Sequence, residues 1–176
     1  MKFKPVLSIW MLAVVVTSFI NTAYAETHMY FIRHADIDLD SGIKQLTPAG
    51  EQRSHDLVNA MNGVLLTHIF VTDYPRTLDT AEPISKSRNM EAELIPYRVK
   101  RTIGPMINAL KSIPDGSSVL IVANSGNLFE IMSGMGVATN DSMPCDTNKC
   151  FDIEAFDNIW HVTISGNNVS MRASKY

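Results

Sequence analysis

Apolar residues along this chain fall into short runs, and the stretches between them carry apolar positions at helical spacing. HMYFIR (His28–Arg33), THIFVT (Thr67–Thr72) and SSVLIVA (residues 117–123) are rich in β-branched and aromatic residues and bounded by polar ones, which predicts strands. AELIPY (residues 92–97) predicts a further short strand. Residues 47–63, TPAGEQRSHDLVNAMNG, predict a helix: Thr47 as N-cap, Pro48 at the first helical position, Gly63 as the stop, and Leu57, Val58 and Met61 on one face. PRTLDTAEPISKSRN (75–89) predicts a second helix, which Pro83 should interrupt or kink. RTIGPMINALKSI (101–113) and GNLFEIMSGMG (126–136) predict two more helices. NIWHVTI and NVSMRAS predict a hairpin around Gly166-Asn167-Asn168. Alternating strands and helices predict an α/β fold, a three-layer α/β/α sandwich with a mostly parallel central sheet.

The first 25 residues are read differently. Lys2 and Lys4 precede an apolar run, VLSIWMLAVVVTSFI, and Ala23-Tyr24-Ala25 is a small-x-small site, so residues 1–25 are expected to be a cleaved secretory signal. An uncleaved membrane anchor is the alternative, although the run is short for a span. Residues 26–176 then form one domain, long enough for a real core. Loss of Lys2 and Lys4 lowers Lys+Arg from 15 to 13 against 18 acidic residues, so the net charge moves from −3 to −5. That balance gives no general attraction to nucleic acid or anionic membranes, so any anion site must be a local cluster of Arg and His. The expected destination is periplasmic or extracellular, with no stable membrane insertion after cleavage. There, Cys145 and Cys150 in CDTNKC are expected to form a disulfide worth roughly 2 kcal/mol. Free thiols or a metal remain alternatives, but two thiols are only half a tetrahedral site.

The chemistry concentrates where strands end. Arg33 and His34 follow the first strand, Arg76 follows the second, and Asn124, Ser125 and Gly126 follow the apolar run VLIVA. Ends of parallel strands converge, so these residues make a candidate pocket of two guanidiniums around one imidazole. The planar fork of Arg suits the paired oxygens of phosphate.

Read together, FIRHADID, LTPAGEQRSHDLVNAM, IFVTDYPRTLDTAEPIS, VLIVANSGNL, the terminal hairpin and the final Tyr176 resemble the histidine phosphatase superfamily, also called phosphoglycerate mutase-like. The resemblance covers nearly all of the chain after residue 25. It implies that His34 is the nucleophile, forming a phosphohistidine that water hydrolyses. It also implies that Arg33 and Arg76 hold the phosphoryl oxygens, and that no metal or cofactor takes part. Such roles suit phosphoryl transfer, which is mostly positioning and charge stabilisation. The imidazole also needs its other nitrogen held, for which a backbone carbonyl in the loop after Ala35 is a candidate.

The chain departs from the family at two places. Ala123-Asn124 stands where relatives carry Gly-His, so a pocket cation is missing and an amide donor stands there instead, with Ser125 beside it. No general acid can be assigned: where relatives carry one the chain reads YRVKR, with Arg98, Lys100 and Arg101 either lining a pocket for a polyanionic substrate or forming a solvated face. Glu91 and Glu93 are the nearest carboxylates. The expected partner is therefore a phosphorylated small molecule or phosphoprotein. It is either hydrolysed slowly or, if Asn124 abolishes turnover, only bound; a stable phosphoryl carrier at His34 is a third reading. Asp36, Asp38 and Asp40 resemble the start of a calcium loop, but Gly42 comes one place late and Thr47 stands where a Glu is required. Asp36 is instead a candidate organiser of the pocket loop. His161 reads as a strand residue, His55 as exposed, and Met106, Met132 and Met135 as core filler.

Overall fold

The computed structural model describes residues 25–40, 42–98, 102–137 and 155–176. Cys145, Cys150, Lys100, Arg101 and all but the last residue of the expected signal segment, residues 1–25, lie outside them. Six strands and four helices alternate in chain order: β1 (Thr27–Arg33), α1 (Pro48–Ala60), β2 (His68–Thr72), α2 (Pro75–Arg88), β3 (Glu93–Ile95), α3 (Gly104–Ser112), β4 (Ser118–Ala123), α4 (Ser125–Gly134), β5 (Asn158–Ser165) and β6 (Asn168–Lys175). The strands form one sheet in the order β3-β2-β4-β1-β5-β6. The β3–β2, β2–β4 and β4–β1 ladders are parallel, whereas β5 runs antiparallel to β1 and β6 antiparallel to β5. This is the mostly parallel α/β sheet expected from the sequence.

Strand side chains alternate between the sheet's two faces, and so define two cores. On one face Ile32, Ile69, Val71, Leu120, Val122 and Ile159 pack with Leu57 and Met61 of α1's end and Ala81 and Ile84 of α2. On the other, Phe31, Phe70, Val119, Ile121 and Trp160 pack with Met106 and Leu110 of α3 and Leu128, Ile131 and Met132 of α4. β1 and β4 are central and buried on both faces, which is why their sequences are continuous apolar runs rather than alternating ones.

Local signals explain the element boundaries. Thr47 caps α1, its hydroxyl accepting from Gly50 N at 3.1 Å, with Pro48 in the first turn. Gly166 (φ +57°) and Asn167 alone make the hairpin turn, because Ser165 already pairs with Asn168; the loop is one residue shorter than expected. Pro83 does not interrupt α2, which continues to Arg88. The carbonyl that Pro83 leaves without a helical partner belongs to Asp79, on the exposed side of the helix, where solvent can satisfy it. The buried face of α2, with Thr77, Thr80, Ala81 and Ile84, is untouched. No helix among the described residues is long and apolar enough to cross a membrane.

Candidate active site

Because β1, β2 and β4 are parallel, Arg33, Thr72 and Ala123 end at the same edge of the sheet, and Arg33 lies directly beside Ala123 in register. The chain leaves β1 at His34, whose backbone N–H donates to Ala123 carbonyl at 3.0 Å. It leaves β2 through Tyr74 into α2, where Arg76 stands in the first turn. It leaves β4 at Asn124, the N-cap of α4, with Ser125 opening that helix. Arg33, His34, Arg76 and Asn124 are thus brought to one edge, as the strand ends predict.

His34 is buried, with 3% of its surface exposed. Its Nδ1 lies 2.8 Å from the Ala35 carbonyl oxygen, which can only accept, so Nδ1 carries the hydrogen. In the neutral ring Nε2 then holds the lone pair, the form a nucleophile needs. Burial lowers the His34 pKa to about 4; the Ala35 bond opposes this, while the positive charges of Arg76 and Arg33 add to it. The ring is therefore neutral at pH 7, and the two flanking cations help to keep it so.

Both arginines rest on aromatic faces. The Arg33 guanidinium carbon lies 4.0 Å from the centre of the Phe156 ring, and that of Arg76 lies 4.2 Å from the centre of the Tyr74 ring. Phe156 also tilts against His34, with ring centres 5.7 Å apart. Arg76 Nε is buried without a hydrogen-bond partner among the described residues, so this donor awaits an acceptor. Burial, with repulsion from Arg33 and Arg98, lowers the pKa of Arg76 despite the opposing influence of Tyr74. An anion arriving here would relieve that repulsion.

Asn124 is 7% exposed. Its Nδ2 donates to Thr72 Oγ1 at 3.0 Å, and its backbone N–H donates to Asn127 Oδ1 at 2.9 Å. Its Oδ1 is buried and has no partner among the described residues. Asn124 thus occupies the site but is tied sideways to β2.

A brace holds the loop that follows His34. Ala35 N–H donates to Thr80 Oγ1 at 2.9 Å, and that hydroxyl donates in turn to the Arg76 carbonyl at 2.6 Å, linking the nucleophile loop to α2. Asp36 pairs with Arg53 of α1 (2.6 Å), while its carbonyl accepts from Thr47 N–H at 3.0 Å. Gly50 packs directly on the Asp36 backbone, where any Cβ would collide with the Asp36 carbonyl oxygen. Asp36 is therefore an organiser of the loop, its carboxylate engaged by Arg53. Asp38 accepts from Asp40 N–H within a turn.

Thr72, Thr80, Tyr74 and Arg53 were not singled out by sequence, and neither was Phe156. The antiparallel direction of β5 brings Phe156 in: its start lies beside the end of β1, with Ile159 opposite Ile32. Arg98 lines a cleft beside Arg76 and is also solvent-exposed. His161 is a strand residue on β5, His55 is exposed, Met106 and Met132 are buried, and Met135 is partly buried against that core. The residues lining the cleft include no carboxylate, and the described residues hold no cluster of three or more metal-ligating side chains.

Comparison with known proteins agrees with this geometry. The sequence matches the histidine phosphatase superfamily (branch 1) over residues 22–99, the span that contains Arg33, His34 and Arg76. Among curated proteins none matches significantly. Similar solved structures include an alpha-ribazole phosphatase from Shigella flexneri, at 14% identity and TM-score 0.57, covering 85% of this chain and 96% of that one. A mycobacterial glucosyl-3-phosphoglycerate phosphatase is 12% identical with TM-score 0.57, covering 85% and 98%. A phosphoglycerate mutase from Plasmodium falciparum is 15% identical with TM-score 0.52, covering 86% and 91%. At these identities the structures attest to the fold alone, and the match over residues 22–99 makes that stretch, with Arg33, His34 and Arg76, similar to the histidine phosphatase superfamily.

Proposed function

We propose that the protein is an exported phosphohydrolase that cleaves phosphate monoesters through a phosphohistidine at His34, slowly and without a metal. One observation carries this reading: a buried imidazole whose Nδ1–H is fixed on the Ala35 carbonyl, flanked by two arginines that repel each other. In the first step Nε2 attacks phosphorus, the P–O ester bond breaks, and the leaving group departs as its oxyanion, which takes a proton from solvent. In the second, water attacks, the N–P bond breaks, and inorganic phosphate leaves. Arg33 and Arg76 would hold the phosphoryl oxygens throughout, and Ser125 lies at the helix start beside them. Asn124 would add one amide donor. A half-turn of its amide lets the Thr72 hydroxyl donate to Oδ1 and turns NH₂ toward an arriving anion. Losing one such stabilising donor costs about 10²–10³ in rate, which is why slow turnover is proposed.

The tether from Asn124 to Thr72 and the carboxylate-free lining of the cleft favour a second reading. In that reading the site binds a phosphorylated small molecule or phosphoprotein without turnover. The two are separated by phosphate release from 4-nitrophenyl phosphate by the parent, His34→Ala and Asn124→His. Turnover in the parent that vanishes in His34→Ala supports the enzyme. Turnover only in Asn124→His assigns the parent to binding. Turnover that survives His34→Ala overturns the nucleophile assignment.

A further inference from the structure

Beside the phosphoryl site lies an open cleft of about 560 Å³ that shares Arg76 with it and reaches Gly126 in the first turn of α4. An ester bound with its phosphoryl group at Arg76 has room here for its alcohol portion. Two features mark the cleft. First, its walls are aromatic: Tyr74 and Tyr97 stand with ring centres 6.3 Å apart, inclined at 50°. Second, its charge is of one sign. Lys44, Arg76 and Arg98 line it and, among the described residues, no carboxylate does, in a chain whose net charge is −3. The nearest acid, Asp73, is already engaged: one carboxylate oxygen accepts from the backbone N–H groups of both Tyr97 (2.8 Å) and Arg98 (2.6 Å). That clamp sets the turn carrying Tyr97 and Arg98 against the end of β2. The cations face the cleft from three separate chain segments, which a surface cation scattered for solubility would not require.

We infer that this cleft is a subsite for an alcohol portion bearing a ring and a second anionic group, the ring set against the Tyr74–Tyr97 pair and the anion countered by Lys44 and Arg98. The inference rests on the phosphoryl-site reading above and names its substrate class. Planar or sugar rings stack on tyrosine faces, and a carboxylate or phosphate beyond the ring meets the two exposed cations. Because those cations are solvated, their joint contribution is modest, about tenfold in affinity, and screened by salt.

The test uses non-hydrolysable phosphonates, so that binding is read without turnover. Dissociation constants for inorganic phosphate, phenylphosphonate and 4-carboxyphenylphosphonate are measured calorimetrically on the parent and on the Lys44→Ala/Arg98→Ala double variant. The expected result is a roughly tenfold preference for the carboxylated ring in the parent that collapses to within about twofold in the double variant and in high salt. Equal affinity for the two phosphonates in the parent overturns the subsite while leaving the phosphoryl site standing. A preference that persists in the double variant overturns the assignment to Lys44 and Arg98. Failure of all three ligands to bind removes the phosphoryl site, and this subsite with it.

Discussion

Replacing His34 by Asn should make the protein less sensitive to acid. In the folded chain the imidazole resists protonation until about pH 4, whereas in the unfolded chain it titrates near 6.5. Between those values the unfolded state binds a proton that the folded state refuses. Stability therefore falls as pH drops through that window, and above it this residue contributes no pH dependence. At about 1.4 kcal/mol per pH unit, the full effect is about 3 kcal/mol, of which 2–3 kcal/mol is already expressed at about pH 4.5. Asn is chosen because its Nδ2 can take the place of Nδ1 and keep the Ala35 carbonyl bonded, so no buried acceptor is orphaned. Urea unfolding of parent and variant at about pH 7.5 and 4.5 gives the comparison, and carboxylates common to both cancel in the difference. The parent should lose 2–3 kcal/mol more than His34→Asn, on the same linkage. Parallel losses, within about 0.5 kcal/mol, would refute the argument that burial and two cations keep the ring neutral.

Three further outcomes follow from the geometry. Gly50→Ala forces a methyl group against the Asp36 carbonyl, which is backbone and cannot swing aside; urea unfolding should show a loss of about 1–3 kcal/mol, and phosphate release should fall with it. Since the cleft lining offers no carboxylate to protonate a leaving oxygen, alkyl phosphates should turn over at least about 10²-fold more slowly than aryl phosphates, whose leaving groups need no proton; equal rates would point to an acid elsewhere. Tyr176 Oη is buried with no partner among the described residues, so Tyr176→Phe should be neutral or stabilising by up to about 1 kcal/mol in thermal or urea unfolding, and a large loss would reveal a bond to that hydroxyl.

The parts of this site legible in sequence are those whose signal is local. An apolar run broken by Arg-His, a proline-led helix carrying Arg76, and a strand ending in Asn124 each announce a strand end, and parallel ladders do the rest. Thr47, Pro48 and Gly63 mark α1 because capping is a nearest-neighbour matter. What escaped depends on pairing direction and on long-range contacts. Phe156 reaches Arg33 only because β5 enters the sheet antiparallel, at the same edge where β1 ends. Arg53 reaches Asp36 across 17 positions because Gly50 lets α1 press on the loop. Thr80 binds Ala35 across 45 positions, from inside a helix. Pro83 misled for a related reason: the rule that proline breaks helices weighs a lost bond, and here that bond belongs to exposed Asp79.

Asn124 brings these strands of reasoning together. Its position demands an N-cap, and Asn is among the residues best suited to that place. Yet the reciprocal bond is supplied by Asn127, whose Oδ1 takes the Asn124 N–H, while the Asn124 amide turns to Thr72. The side chain is therefore tied to β2 while it stands over the first turn of its own helix, and its Oδ1 is buried without a hydrogen-bond partner among the described residues. A buried unpaired polar atom costs about 1–3 kcal/mol, and Arg76 Nε close by is in the same condition. In the proposed reading an arriving anion would accept from Arg76 Nε, and a half-turn of the Asn124 amide would present NH₂ to it in place of the unpaired oxygen. In that reading anion binding needs only these donors, whereas turnover asks more of them. Turnover would depend on whether the uncharged amide of Asn124 can stabilise the charge that develops in the transition state.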